Sequence, residues 1–190
     1  LNDDGSFYGC WGAFPFTSNG LVYASDLEGY LTVLQFHQPQ IEIVSVNHQL
    51  NWNLVGLPVD VNDPFHLSVF PDALEGTLYS FNGGYIQEND LISGQGYWLR
   101  FLNEGTTEIS GLPIHSLTIP LMNEWNLISG ISTTISLSNI DDPDGLIIPG
   151  TLYEFTDGYV QAETLEPGKG YWIRSVGAGE ITISEEDGEL

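Results

Sequence analysis

Thr77-Leu78-Tyr79-Ser80-Phe81-Asn82-Gly83-Gly84-Tyr85-Ile86-Gln87 returns 74 residues later as Thr151-Leu152-Tyr153-Glu154-Phe155-Thr156-Asp157-Gly158-Tyr159-Val160-Gln161. The same offset carries Leu91 to Leu165, Gly94 to Gly168, and Gly96-Tyr97-Trp98-Leu99-Arg100 to Gly170-Tyr171-Trp172-Ile173-Arg174. Upstream, Trp52-Asn53-Leu54-Val55 returns as Trp125-Asn126-Leu127-Ile128 at an offset of 73, so one residue is inserted between the blocks. Identical aromatics and glycines in one order mark an internal duplication. Two copies are too few for a solenoid, so they read as two related small domains in tandem. Trp52 should superpose on Trp125, Tyr79 on Tyr153 and Trp98 on Trp172.

Each copy reads as strands and turns. An alternating strand opens it, Ile41 to Val46 in the first copy and Leu117 to Leu121 in the second. A turn follows, at 47–51 or 122–124, and then the Trp-Asn-Leu strand. The middle section differs between the copies. The first has Asp63-Pro64 and a possible helical turn over 65–70; the second has Asp141-Asp142-Pro143-Asp144-Gly145. A hairpin comes next, with Asn82-Gly83-Gly84 or Asp157-Gly158 at its tip, where glycine supplies the positive φ. Gly94-Gln95-Gly96 and Gly168-Lys169-Gly170 lead into the closing strands. By the two-residue period Tyr97 and Leu99 share one face, while Trp98 and Arg100 share the other. Trp98 is expected to pack inward, with Arg100 covering a rim. Trp52, Trp98, Trp125, Trp172, Tyr97 and Tyr171 are therefore assigned structural roles.

The first segment is different. Gly12 to Phe16, Leu21 to Ser25 and Tyr30 to Phe36 read as three strands, with turns at 18–20 and 26–29. Three strands with apolar residues on both faces require something to pack on. The fold expected is all-β: a three-stranded, propeller-blade-like segment (1–38), then two homologous sandwich- or barrel-like domains (39–115 and 116–190).

Asp and Glu number 26 against 3 Lys and Arg, a formal charge of −23. Such a surface repels phosphates, which excludes nucleic acid as a partner. No apolar run approaches the roughly 20 residues that span a bilayer, so membrane insertion is not expected. Cys10 is the single cysteine, so no intramolecular disulfide forms and no cysteine-based zinc site exists. The chain begins at Leu1 as if cut from something longer.

No catalytic constellation is evident. The four histidines, His37, His48, His66 and His115, are scattered one per segment, and neither a Gly-x-Ser-x-Gly elbow nor a His-Glu-x-x-His motif occurs. Each Gly-x-Gly precedes a strand and lacks the third glycine of a dinucleotide fingerprint. Candidate Ca²⁺ ligands are Asp60, Asn62 and Asp63 in the first copy and Asp141, Asp142 and Asp144 in the second, hard oxygen donors on short loops. Asp and Pro also simply build turns. Tyr85 and Tyr159 follow the hairpin glycines, where they either stack on sugars or pack beside Trp98 and Trp172.

Two family resemblances attach to these residues. Cys10-Trp11-Gly12-Ala13-Phe14-Pro15-Phe16 with Leu21-Val22-Tyr23-Ala24-Ser25-Asp26 and Leu31-Thr32-Val33-Leu34 resembles the last blade of an LVIVD-repeat β-propeller of the choice-of-anchor B type. Glu124-Trp125-Asn126-Leu127-Ile128-Ser129 and Leu165-Glu166-Pro167-Gly168-Lys169-Gly170-Tyr171-Trp172 resemble the tandem modules near the C-terminus of Bacteroidetes-like surface proteins. The first copy departs from that pattern at Leu91-Ile92-Ser93-Gly94-Gln95-Gly96. In such proteins a type IX secretion sorting domain commonly follows; it would begin where this sequence stops, at Leu190, which fits a cleaved mature product or a truncated chain. The resemblance implies a secreted or cell-surface location and no catalytic role. The expected function is a non-enzymatic extracellular structural or interaction module with no cofactor beyond the Ca²⁺ candidates. Two alternatives stand beside it. One is a self-assembling fibre subunit that uses the N-terminal strands for strand addition. The other is a carbohydrate- or Ca²⁺-binding adhesin.

Overall fold

Period-two alternation of apolar residues governs this chain, and the outcome is all-β. The computed structural model describes residues 10–14, 21–26, 31–35 and 40–185. The chain divides into two units, Leu1–Pro39 and Gln40–Leu190. The first is an antiparallel sheet of β1 (Cys10–Phe14), β2 (Leu21–Asp26) and β3 (Leu31–Gln35) in the order β1-β2-β3. Phe16, Tyr30, Phe36, His37 and the turns at 18–20 and 27–29 lie outside the described residues.

The second unit holds both repeats. Repeat one supplies β4 (Glu42–His48), β5 (Asn51–Val55), β6 (Val59–Asp60), helix α1 (His66–Val69), β7 (Tyr79–Phe81), β8 (Tyr85–Gln87), β9 (Tyr97–Phe101) and β10 (Gly105–Pro113). Repeat two supplies β11 (Ser116–Leu121), β12 (Glu124–Ser129), β13 (Ile135–Ser136), a 3-10 turn (Leu137–Asn139), β14 (Tyr153–Phe155), β15 (Tyr159–Gln161), β16 (Thr164–Leu165), β17 (Gly170–Ser175) and β18 (Gly179–Ser184). In repeat one β4 pairs with β10, and a second sheet runs β5-β9-β7-β8; in repeat two β11 pairs with β18, and the second sheet runs β12-β17-β14-β15. Registers repeat as well. Leu54 lies opposite Trp98 and Tyr79 opposite Trp98, as Leu127 and Tyr153 lie opposite Trp172. Among the described residues no sheet closes into a barrel.

Shared side chains make the shared turns. Asn53 closes the β4–β5 turn by accepting the Gln49 N–H (2.9 Å) and donating to the Gln49 and Asn51 carbonyls. Asn126 does the same with the Met122 N–H (2.7 Å) and the Met122 and Glu124 carbonyls. The Thr77 hydroxyl donates to the Leu74 carbonyl and accepts the Arg100 N–H; Thr151 does so with Ile148 and Arg174. The two repeats are thus the same fold built with the same side-chain locks.

Each repeat has its own core. Val44, Val46, Val59, Phe70, Leu78, Tyr97, Leu99, Phe101 and Ile109 fill the first; Ile119, Leu121, Ile131, Leu152, Leu165, Tyr171, Ile173, Ile181 and Ile183 fill the second. Burying one such aliphatic side chain contributes about 1.5–3 kcal/mol. The residues facing inward on β9 are Tyr97, Leu99 and Phe101, not Trp98. Trp98 instead faces the other repeat, because both faces of β9 are covered.

That second layer joins the repeats, so the boundary expected near residue 115 falls inside one compact unit. Val55 bridges Lys169, and Gln95 bridges Ile128. The Gly56 N–H donates to the Gly168 carbonyl (3.0 Å), and the Ser129 N–H to the Gly94 carbonyl (2.9 Å). Each contact is the other with the repeats exchanged, the signature of an isologous, twofold-like interface. Gly94 and Gly168 take φ of +83° and +77°, which turn the chain into the closing strand. A Cβ on Gly96 would sit 2.4 Å from the Ile128 carbonyl oxygen, and one on Gly170 would sit 2.8 Å from that of Val55. The second glycine of each Gly-x-Gly is therefore the point where the other repeat's backbone comes in. Gly96→Ala is expected to lower the unfolding free energy by about 1–3 kcal/mol in chemical denaturation, since backbone on both sides must shift. A loss below about 1 kcal/mol would show that the repeats do not meet there.

The buried tyrosines give a pH signature. The Tyr97 hydroxyl accepts the Ile92 N–H and the Tyr171 hydroxyl the Glu166 N–H, each at 2.9 Å. Burial dominates both phenols, pushing Tyr97 up to about 12 and Tyr171 higher still. The neutral phenol is the form that the fold keeps, so this stability is complete below pH 10. It is lost as pH rises from about 10, where the unfolded phenols ionise, through the folded value. For Tyr97 the loss is on the order of 2 kcal/mol by pH 12. Urea midpoints should fall over that range, and less steeply in a Tyr97→Phe variant; an identical fall would assign it to other groups.

Candidate functional site

The side chains left over by the two cores converge at the junction of the repeats. Leu54, Leu127 and Trp172 are buried there, with Phe81, Trp98, Tyr153 and Phe155 packed around them. Strand alternation explains the set, because Trp98 and Trp172 lie on the strand faces opposite Tyr97 and Leu99, and opposite Tyr171 and Ile173. Each tryptophan meets its own repeat and the other one. Trp98 stands edge-on to Trp52 with ring centres 6.4 Å apart, and Trp172 stands the same way to Trp125 at 6.4 Å. Across the junction Trp98 packs edge-on against Phe155 and Trp172 against Phe81, both at 4.8 Å. Such pairs contribute about 0.5–1.5 kcal/mol each beyond burial.

Two open clefts flank this cluster, each of about 420 Å³. Trp52, Tyr79, Tyr85, Trp98 and Phe155 line the first; Trp125, Tyr153, Tyr159, Trp172 and Phe81 line the second. Each takes four rings from one repeat and the fifth from the other, so neither repeat builds a cleft alone. Tyr79 leans on Trp52 at 6.0 Å and Tyr153 on Trp125 at 6.1 Å. Tyr85 and Tyr159 pack against Phe81 and Phe155 yet stay 59 % and 58 % exposed. They both pack and line a cleft, which joins the two roles weighed for them from the sequence. The Tyr159 phenol is raised by burial first and by the Tyr85 phenol second. The Trp172 indole N–H lies against the Tyr159 hydroxyl without reaching hydrogen-bond geometry.

The tryptophans named from the sequence divide by burial. Trp172 is 8 % exposed and Trp98 half-buried, whereas Trp52 and Trp125 are 39 % and 38 % exposed and form cleft walls. Tyr79, Tyr153, Phe81 and Phe155 belong to the same site and were not singled out as site residues. Their identity at one offset was the available signal.

The calcium candidates have other partners. Asp63 accepts the Ser68 hydroxyl (2.6 Å) and the Phe65 N–H (3.2 Å), bonds that hold its carboxyl below the usual range and brace the turn before α1. Asp142 accepts the Leu146 and Ile147 N–H groups at 2.8 and 2.9 Å, and Asp141 pairs through its backbone with Thr182. Asp60 lies in β6 opposite Leu112, and Asn62 and Asp144 are exposed. Among the described residues no three His, Cys, Asp or Glu side chains converge into a group that could hold a metal. His48 stacks on Phe101 and His66 bonds the Asn89 carbonyl, while His115 pairs with Glu185.

No protein-family model, curated protein or solved structure matches this chain.

Trp172→Ala is expected to cost about 3–5 kcal/mol in denaturant unfolding, because a buried ring bridging the repeats leaves a large cavity. Trp98→Ala should cost less, since its ring is less completely buried. A cost below 1 kcal/mol for Trp172 would make it a surface group.

Proposed function

We propose that this chain is a non-enzymatic extracellular interaction module that holds sugar rings in its twin aromatic clefts. One observation carries the reading: two equivalent open clefts, each lined by five aromatic rings, repeat the same geometry on one compact unit. Aromatic faces offer large contact area at low conformational cost, and tyrosine and tryptophan add a polar edge for a hydroxyl-rich ligand. The cleft volumes lie within the range of small-ligand sites. The exposure of Trp52, Trp125, Tyr85 and Tyr159 keeps the platforms within reach of a ligand on another surface. The place outside the cell is proposed on the resemblance of the Trp-Asn-Leu and Gly-x-Gly-Tyr-Trp stretches to modules of bacterial surface proteins, and a formal charge of −23 suits a module that must stay soluble.

Titration of the full chain with neutral oligosaccharides, followed by tryptophan fluorescence, tests this. Two sites of similar affinity are expected. Trp52→Ala should weaken one at least tenfold and Trp125→Ala the other, each with little loss of stability. Unchanged fluorescence across a broad glycan panel would sink the reading.

A further inference from the structure

The two clefts share their rings but not their charge. The chain has only three Lys and Arg residues, and two of them stand opposite a cleft-wall tryptophan, outside the lining itself. Arg100 lies directly opposite Trp52 in the β5–β9 pair, and Arg174 opposite Trp125 in the β12–β17 pair. Directly opposed side chains are neighbours on one sheet face. By the two-residue period the same face carries Trp98 in repeat one and Trp172 in repeat two.

Arg174 is neutralised. Its Nε donates to Glu124 Oε2 at 2.7 Å and its Nη2 pairs with the same oxygen at 2.5 Å. Lys169 is neutralised as well, by Glu166 at 2.7 Å and Glu154 at 3.3 Å. Arg100 makes no ion pair among the described residues. Its Nη2 reaches Asn51 Oδ1 at only 3.5 Å, and its Nε is buried with no hydrogen-bond partner. Asn51 is the counterpart of Glu124, 73 residues earlier, and both adopt the left-handed backbone, with φ of 77° and 74°. One substitution between the copies thus frees a guanidinium beside one cleft, in a chain with 26 carboxylates.

An unpaired, part-buried guanidinium is costly to keep and is shaped to grip a carboxylate with two parallel N–H bonds. We propose that the Trp52–Trp98 cleft takes an acidic sugar, with its ring on the indoles and its carboxylate on Arg100, whereas the Trp125–Trp172 cleft takes a neutral one. This inference rests on the sugar-binding reading above. The net charge of −23 favours a ligand with a single carboxylate over a polyanion. Repulsion between exposed charges fades beyond about 8 Å at physiological salt, so a single carboxylate feels less of it than a polyanion that extends over the acidic surface.

Methyl β-D-glucuronide and methyl β-D-glucoside, which differ by a carboxylate in place of a hydroxymethyl group, form the test pair. Each is titrated into the full chain and followed by the indole N–H signals of Trp52 and Trp125 in NMR. The glucuronide should prefer the Trp52 cleft over the glucoside at least tenfold, with no preference at the Trp125 cleft. N51E should erase that preference and leave glucoside binding intact; Glu124 occupies the same backbone conformation, so the fold accommodates the change. E124N should create a second acid-preferring cleft. Equal binding of the two sugars at Trp52, or a preference that survives N51E, overturns the inference. Glucoside binding at both clefts without acid preference leaves the sugar-binding reading standing and removes this one. Silence of both clefts to both sugars removes the two together.

Discussion

The structure depends on how closely two backbones approach at the centre of the duplicated unit. Gly96 lies against the Ile128 carbonyl and Gly170 against that of Val55, at distances where no side chain fits. The preceding glycines, Gly94 and Gly168, turn the chain with positive φ and offer their carbonyls to Ser129 and Gly56. This pairing fixes the separation of the two four-stranded sheets. That separation in turn sets what can stand between them, which is a single layer of rings. A Gly-x-Gly before Tyr-Trp is thus a docking element: the glycines admit the other repeat, Tyr anchors its own core, and Trp reaches across.

The exchange of rings follows from that geometry. A small β-domain with one covered face leaves its second sheet face wet, and below about 80 residues a single core supplies little net stability. Here each repeat covers the other's face, so Trp98 finds Phe155 and Trp172 finds Phe81. The coverage is incomplete at the margins beside Tyr79 and Tyr153. The clefts are those margins. The contacts that stabilise the pair and the surfaces open to a ligand are consequently made of the same side chains.

Much of this could be read from the residues. The offsets of 73 and 74 mark the duplication, the strands and hairpins fall where alternation and glycine place them, and the parity of Tyr97 against Trp98 holds. Which face of β9 is its own core could not be read, because Tyr97 and Trp98 are both aromatic and both covered. Period two separates faces but does not rank them. For the same reason Gly96 looks like turn chemistry in the sequence. Only the position of Ile128, remote along the chain, shows that it is a contact. The carboxylates of Asp63 and Asp142 pose the converse problem: a turn-building Asp and a metal ligand have the same sequence signature, and only their hydrogen bonds to Ser68, Phe65, Leu146 and Ile147 show which task occupies them.

Duplication gives two equal sites, and divergence at a single pair of positions makes them unequal. Asn51 and Glu124 occupy the same left-handed corner, so the exchange leaves the backbone in place and changes only the charge beside the rings. The fold tolerates this because the corner lies at the sheet's rim, away from both cores. The clefts also stand on either side of one aromatic cluster, since Phe155 of the first packs on Tyr159 of the second and Phe81 of the second packs on Tyr85 of the first. On the proposed sugar-binding reading, each open cleft leaves much of a ligand in water and binds it weakly on its own. Held on one compact unit, two such clefts would make the second binding event intramolecular, and avidity can then exceed either affinity by about 10²–10⁴. The glycine contact that fixes the sheets also fixes the spacing on which that gain depends.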